Sequence, residues 1–165
     1  MRPLLIKKRH PIRKADIADL MDSLRREIGG EAQVFQSERI EIAETDSDFL
    51  LYMVDKKPSL MRYSSWVFPT VRGAIERPFS GRRITVDAGA IPFVIKGADI
   101  MRPGIKTITD DVKAGSPALI ADDRYGKPLA VCIALHDAPA MRAAEKGKMC
   151  KNIHYVGDDL WNIEI

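Results

Sequence analysis

Two stretches of the 165-residue chain set cationic side chains beside glycine. Lys96, Arg102 and Lys106 bracket Gly97 and Gly104, and Lys146, Lys148 and Lys151 surround Gly147. Lysine and arginine neutralise phosphates and release their counterions, and a glycine lets a phosphate or a base come close to the backbone. The chemistry on offer is the binding of a polyanion. Both Gly97 and Gly104 have a structural use as well, the first as a helix cap and the second as a turn residue, so the glycines alone do not decide the matter.

Catalytic constellations are not visible. The three histidines, His10, His136 and His154, stand in no triad or metal-ligand context. Cys150 and His154 lie four apart, a spacing that suits a metal on a helix, whereas this stretch reads as a strand. Asp110-Asp111, Asp122-Asp123 and Asp158-Asp159 fall in turns, where an Asp side chain bonds the local backbone. Neither a GxxxxGK[ST] phosphate loop nor a GxGxxG fingerprint occurs. We expect a binding protein, not an enzyme, with no cofactor and no metal.

Composition agrees with a folded, reduced protein. Hydrophobic residues make up 45% and charged residues 30%, an ordinary globular balance. The net charge of +3 permits a polyanionic partner without demanding one. Its distribution is uneven: residues 1–30 carry 8 basic and 4 acidic side chains, residues 31–60 carry 3 and 7, and the remainder 15 and 12. The two cysteines, Cys132 and Cys150, lack the spacing of a zinc site or disulfide framework, and Cys132 reads as a buried strand residue. No apolar run suits a signal peptide or a membrane span, so the expected compartment is the cytoplasm.

Several elements must position the basic groups. In the first half, Lys7-Lys8-Arg9-His10 follows a short strand, and a helix spans residues 14–28, because Ile17, Leu20, Met21, Leu24 and Ile28 repeat at three and four residues. Arg25 and Arg26 suit its negative end, and Gly29-Gly30 stops it. Strands are expected over 33–36, 39–43, 49–54, 60–64 and 66–70, with 56–59 as a turn, then a short helix to residue 75. One helix on a small antiparallel sheet accounts for this half, and Pro78, Ser80 and Gly81 suggest a boundary near residue 80.

In the second half, a strand at 84–86 leads into a short helix from Ala90 to about Lys96, with Pro92 in its first turn and Gly97 as its cap. Met101-Arg102-Pro103-Gly104 turns into a strand at Ile105. Strands and turns then alternate, with a hairpin turn at 122–127, a bent strand at 140–145, and closing strands at 152–156 and 160–165. A closed barrel leaves no exposed edges.

The run Val86-Asp87-x-Gly89-Ala90-x-x-x-Val94-x-x-Gly97-Ala98-x-x-x-x-Pro103-Gly104-Ile105, with His154-Tyr155-x-Gly157-Asp158, resembles the PUA domain, a small RNA-binding β-barrel. Arg9-His10-Pro11-Ile12-Arg13-Lys14-x-Asp16 and Phe68-Pro69-Thr70-Val71 resemble the domain that precedes it in stand-alone PUA proteins. The resemblance implies an α+β pre-PUA domain over 1–80 and a mostly β, PUA-like pseudo-barrel over 81–165. Across the whole chain it is to archaeal relatives of the malignant T-cell-amplified-sequence translation factors. That implies tRNA or small-subunit rRNA as partner; a translation-factor or RNA-modifying protein is a further expected one, and the lack of a long apolar run leaves no membrane partner expected. RNA would be held by Lys96, Gly97, Arg102, Gly104, Lys148 and Lys151, and the neighbouring Lys106 and Lys146 complete the expected RNA-binding set by their charge. His154 or Tyr155 can stack on a base, and one of the two must face the core, since neighbouring strand residues point to opposite sides. The rival reading is a protein-interaction adaptor that lends specificity to an RNA-modifying enzyme, motivated by the acidic segment 31–60.

Overall fold

The computed structural model describes residues 4–164, which divide into two compact units, one made of Ser80–Asp158 and the other of the residues before and after it.

The first unit runs β1 (Ile6–Pro11), α1 (Lys14–Ile28), a 3-10 segment (Gly29–Phe35), β2 (Ile40–Thr45), β3 (Leu50–Val54), β4 (Lys57–Tyr63), β5 (Trp66–Pro69) and α2 (Val71–Glu76). Its five strands form an antiparallel meander in sequence order. Leu20, Met21, Leu24 and Ile28 of α1 are buried, as the helical period requires. They share a core with Leu51, Met53, Met61 and Phe68. Phe79 meets Phe68 and Phe35 edge-on, with ring centroids 5.7 and 6.4 Å apart.

Three expectations fail here. Residues 33–35 continue the 3-10 segment, which Gln36 caps, and 33–36 are not a strand. Ala32 and Phe35, three apart, are the residues that it buries, which a 3-10 period permits and a strand period does not. The turn expected at 56–59 is shorter: Asp55 and Lys56, with φ of 51° and 70°, make a two-residue turn between Val54 and Lys57. That turn type follows the natural strand twist, so Lys57 to Ser59 join β4, with Pro58 placed where the ladder shifts register. Residues 160–162 are turn and 163–164 irregular, not a strand, and residue 165 lies outside the described residues. Leu160 is buried, and the Trp161 ring lies under the Arg72 guanidinium at 3.9 Å, with Arg72 Nε donating to the Trp161 carbonyl.

The charge asymmetry also changes meaning. The basic edge strand β1 pairs with the acidic strand β2: Lys8 stands opposite Glu44, and Arg9 forms an ion pair with Glu41. The positive first segment therefore faces part of the negative second one.

The second unit runs β6 (Arg83–Val86), α3 (Ile91–Val94), β7 (Ile100–Met101), a 3-10 turn (Arg102–Gly104), β8 (Ile105–Ile108), β9 (Pro117–Asp122), β10 (Pro128–Ala134), α4 (Ala138–Ala143) and β11 (Lys148–Tyr155). The sheet order is β7-β11-β10-β9-β6-β8, with only the β6–β9 pair parallel. Its two edge strands are β7 and β8, which the three-residue turn joins. A link so short can connect opposite edges only if the sheet curls round, which gives the pseudo-barrel.

Residues 138–143 are helix, not bent strand. Asp137 precedes an alanine-rich run with Pro139 in its first turn, and both favour a helix start. Ile84, Val86, Ile120, Met141 and both cysteines fill the core. Burial pushes the Cys150 thiol up to about 12 and that of Cys132 well above its ordinary value, so neither is a thiolate nucleophile at neutral pH.

Candidate nucleic-acid interface

Single residues fix both ends of the short helix α3. Pro92 sits in its first turn, and Gly97, with φ of 94°, closes it by donating to the Val94 carbonyl at 3.0 Å. A side chain at residue 97 would meet strain from that φ and also the Tyr155 ring, which would lie 3.0 Å from its Cβ. Gly97 is therefore both cap and contact.

Beyond it the chain runs beside β11, where Met101 pairs with Lys148 and Ile100 with Cys150. The Arg102 amide donates to the Gly147 carbonyl at 2.8 Å, so the two basic stretches meet on one side of the barrel. Asn152 ties the corner together. Its side-chain amide donates to the Val94 and Ala98 carbonyls, each at 3.0 Å, and its backbone N–H donates to Asp99 at 2.9 Å.

The expected site residues divide by position. Lys96, Lys106, Lys146, Lys148 and Lys151 are exposed. Lys148 Nζ lies 2.9 Å from Asp99 Oδ2, so its charge is partly committed. Lys106 is on β8, at the opposite edge of the sheet order from β7. Arg102 is half-buried and turned inward, donating to the carbonyls of Ile105 at 3.3 Å and Arg142 at 3.4 Å. It braces the turn. Gly104 accepts from the Asp87 amide at 2.9 Å, which closes the loop around α3.

Sequence alternation leaves His154 and Tyr155 undecided. His154 is buried, 1% exposed, with Nδ1 at 2.9 Å from Asp158, and Tyr155 is half-exposed beside Gly97. Of the two rings, only that of Tyr155 reaches solvent in part.

Sequence reasoning missed the apolar part of the site. Between α3 and the Arg102–Gly104 turn lies a cleft of about 400 Å³ whose lining includes Ala90, Phe93, Ala98, Met101 and Pro103. Phe93 is 66% and Met101 49% exposed, too much for core residues, and apolar surface of this kind accepts a ligand. Asp99 and Asn152 were missed as well, since nothing local marks either as a corner bond.

The Lys148 ammonium, and then the Asn152 amide, hold the Asp99 carboxyl below its ordinary 3.8. A lowered folded-state pKa adds stability that is complete above the unfolded value and is lost as pH falls through the folded one. Comparing Asp99→Asn with wild type, we expect a small melting-temperature deficit that is constant above about pH 5. Thermal melts should show it closing in more acidic buffer. A deficit that persists unchanged at about pH 2.5, below the ordinary carboxylate range, would mean that Asp99 acts through shape and not through charge.

Comparison with known proteins gives two family matches, the PUA domain over residues 82–156 and a domain of unknown function, DUF1947, over residues 8–75. An uncharacterized protein of Methanocaldococcus jannaschii is 35% identical over 96% of this chain and 98% of its own length. Malignant T-cell-amplified sequence 1-A of Xenopus laevis is 31% identical over 77% of this chain and 67% of that one. Translation machinery-associated protein 20 of Saccharomyces cerevisiae is 26% identical over 77% and 74%. The crystal structure of a hypothetical protein from Pyrococcus horikoshii superposes with a TM-score of 0.86 at 31% identity, over 93% of this chain and 98% of that one.

Proposed function

Since this chain belongs to the family that joins a DUF1947 domain to a PUA domain, with malignant T-cell-amplified sequence 1 among its relatives, we propose that it is a non-catalytic RNA-binding protein of translation. In this reading tRNA or small-subunit rRNA lies on the face formed by α3, the Arg102–Gly104 turn and the start of β11. The observation that carries it is the apolar cleft beside exposed lysines. An unpaired base can enter the cleft while Lys96, Lys146, Lys148 and Lys151 neutralise the phosphates that lead to it. Gly104 lines the cleft, Arg102 braces the turn that carries it, and Lys106 extends the positive field. The yeast relative's name ties that protein to the translation machinery, and the same process, in the cytoplasm, is our proposal here.

The adaptor reading has less to rest on, because part of the acidic segment, Glu41 and Glu44, is answered by β1 within the same sheet.

The test is binding of deacylated tRNA, with and without its 3′ end, by wild type and by the Lys96→Glu/Lys148→Glu variant. We expect the double reversal to weaken binding at least about tenfold, with the fold intact by circular dichroism. Equal affinity of the two proteins for tRNA would remove RNA from this face.

A further inference from the structure

Tyr125 is 82% exposed, the most exposed large hydrophobic side chain among the described residues. It stands at the tip of the β9–β10 hairpin, and the tip is built to hold it still. Asp122, itself 8% exposed, accepts from the backbone N–H groups of Arg124 at 3.0 Å, Lys127 at 3.1 Å and Tyr125. Those bonds, Tyr125's first, keep its carboxyl below the ordinary value. From the sides, Arg83 donates to the Gly126 carbonyl at 3.0 Å, and the Asp123 amide donates to the Val86 carbonyl at 3.0 Å. A tip fixed at three points that ends in a bare aromatic ring is not explained by packing, because the ring has little to pack on.

The surroundings suggest what meets it. A concavity of about 460 Å³ is lined by Ala88, Ile91 and Asp122 to Tyr125. Ile91 belongs to α3, whose residues Phe93 and Val94 line the apolar cleft of the proposed RNA face. The two hollows thus share one short helix. Arg124 and Lys127, both exposed, flank the ring, with Asp123 as the only exposed acid of the tip.

We propose that Tyr125 is a stacking platform for an unpaired base of a single RNA strand that crosses α3 from the cleft, with Arg124 and Lys127 on its phosphates. This rests on the RNA-binding reading above and specifies the ligand as single-stranded at this point. Base–aromatic stacking tolerates any base and needs no hydroxyl, so phenylalanine should serve as well as tyrosine. Duplex RNA, whose bases are already stacked on each other, should gain nothing from the ring.

The experiment compares the full chain with its Tyr125→Ala and Tyr125→Phe variants, titrating a single-stranded RNA oligonucleotide and the same sequence annealed into a duplex. We expect Tyr125→Ala to lose about tenfold in single-strand affinity, Tyr125→Phe to stay within about twofold, and duplex affinity to be the same for all three. Unchanged single-strand affinity in Tyr125→Ala overturns the platform, as does an equal loss in Tyr125→Phe. In either case a loss of binding in Lys96→Glu/Lys148→Glu leaves the RNA-binding reading standing. If wild type itself binds neither RNA at about 50 mM salt, where phosphate contacts are strong, both fall together. Removing an exposed ring leaves the core intact, and equal melting temperatures of the three proteins check this directly.

Discussion

Gly73→Ala is expected to lower the melting temperature by about 10 °C or more, or to prevent folding, even though alanine is the better helix former. Gly73 lies in α2, where that helix presses on β4. A Cβ built on it falls 2.0 Å from the carbonyl oxygen of Ser59 and 2.9 Å from the carbonyl carbon. Both atoms are backbone, and they are pinned: the Thr70 amide donates to the same oxygen at 3.0 Å. Thr70 also fixes the helix start, its hydroxyl accepting from the Gly73 amide at 3.0 Å and donating to the Pro58 carbonyl at 2.7 Å. The methyl cannot be admitted without moving α2 off the sheet and breaking this cap. Alanine's propensity gain is about 1 kcal/mol, against about 3 kcal/mol for forced overpacking, so the clash decides the sign. Gly30→Ala is the control, since nothing lies within 4 Å of the Cβ it would add. Equal melting temperatures for the two variants would show that α2 is free to move away from β4.

The second large effect is on RNA binding. If Lys96, Lys146, Lys148 and Lys151 each neutralise one phosphate of a single strand, log affinity should fall against log salt with a slope of about −2.8, or about fifty-fold between about 50 and 200 mM. Lys96→Glu/Lys148→Glu removes two of the four contacts, so its slope should be about −1.4 and its loss about sevenfold over the same range. Because Lys148 already holds Asp99, it gives up part of that pairing when it takes a phosphate, and the measured slope should lie slightly on the shallow side. Slopes that coincide for the two proteins would show that these lysines are not the ones that bind. A slope near zero in wild type would mean that contacts in the apolar cleft, and not phosphates, hold the ligand.

How much could be read from the sequence depends on the range of each interaction. Helix α1 was legible to its ends, because apolar spacing, terminal charges and the Gly29-Gly30 stop all lie within the segment itself. The helix at Ala138–Ala143 misread as strand because Met141, Ala143 and Ala144 sit among strands, and a six-residue helix shows too little of its period. The basic face was legible as residue types, since lysine and glycine advertise what they do. Its cleft was not: it exists only because β11 passes beside the Gly97–Gly104 loop, and Asn152 reaches across 58 positions to bond Val94. Alternation could say that one of His154 and Tyr155 points inward but not which. The register shift between Val131 and Cys132, which leaves Ile153 without a partner on β10, sets that choice, and it has no local signature.

The clasp of Trp161 by Arg72 carries a consequence for the order in which the protein can be made. Ser80–Asp158 forms a unit of its own, yet residues 159–164 group with the residues before it. At about 5–20 residues per second, the ribosome needs about 4–16 seconds to make the intervening stretch. During that interval the unit that emerges first lacks these last residues, so Arg72 is without the Trp161 ring and Leu160 is not yet in place. The unit that emerges second can therefore be the first to finish, and a nascent chain halted near residue 80 should be more readily cut by protease than the same residues in the completed protein.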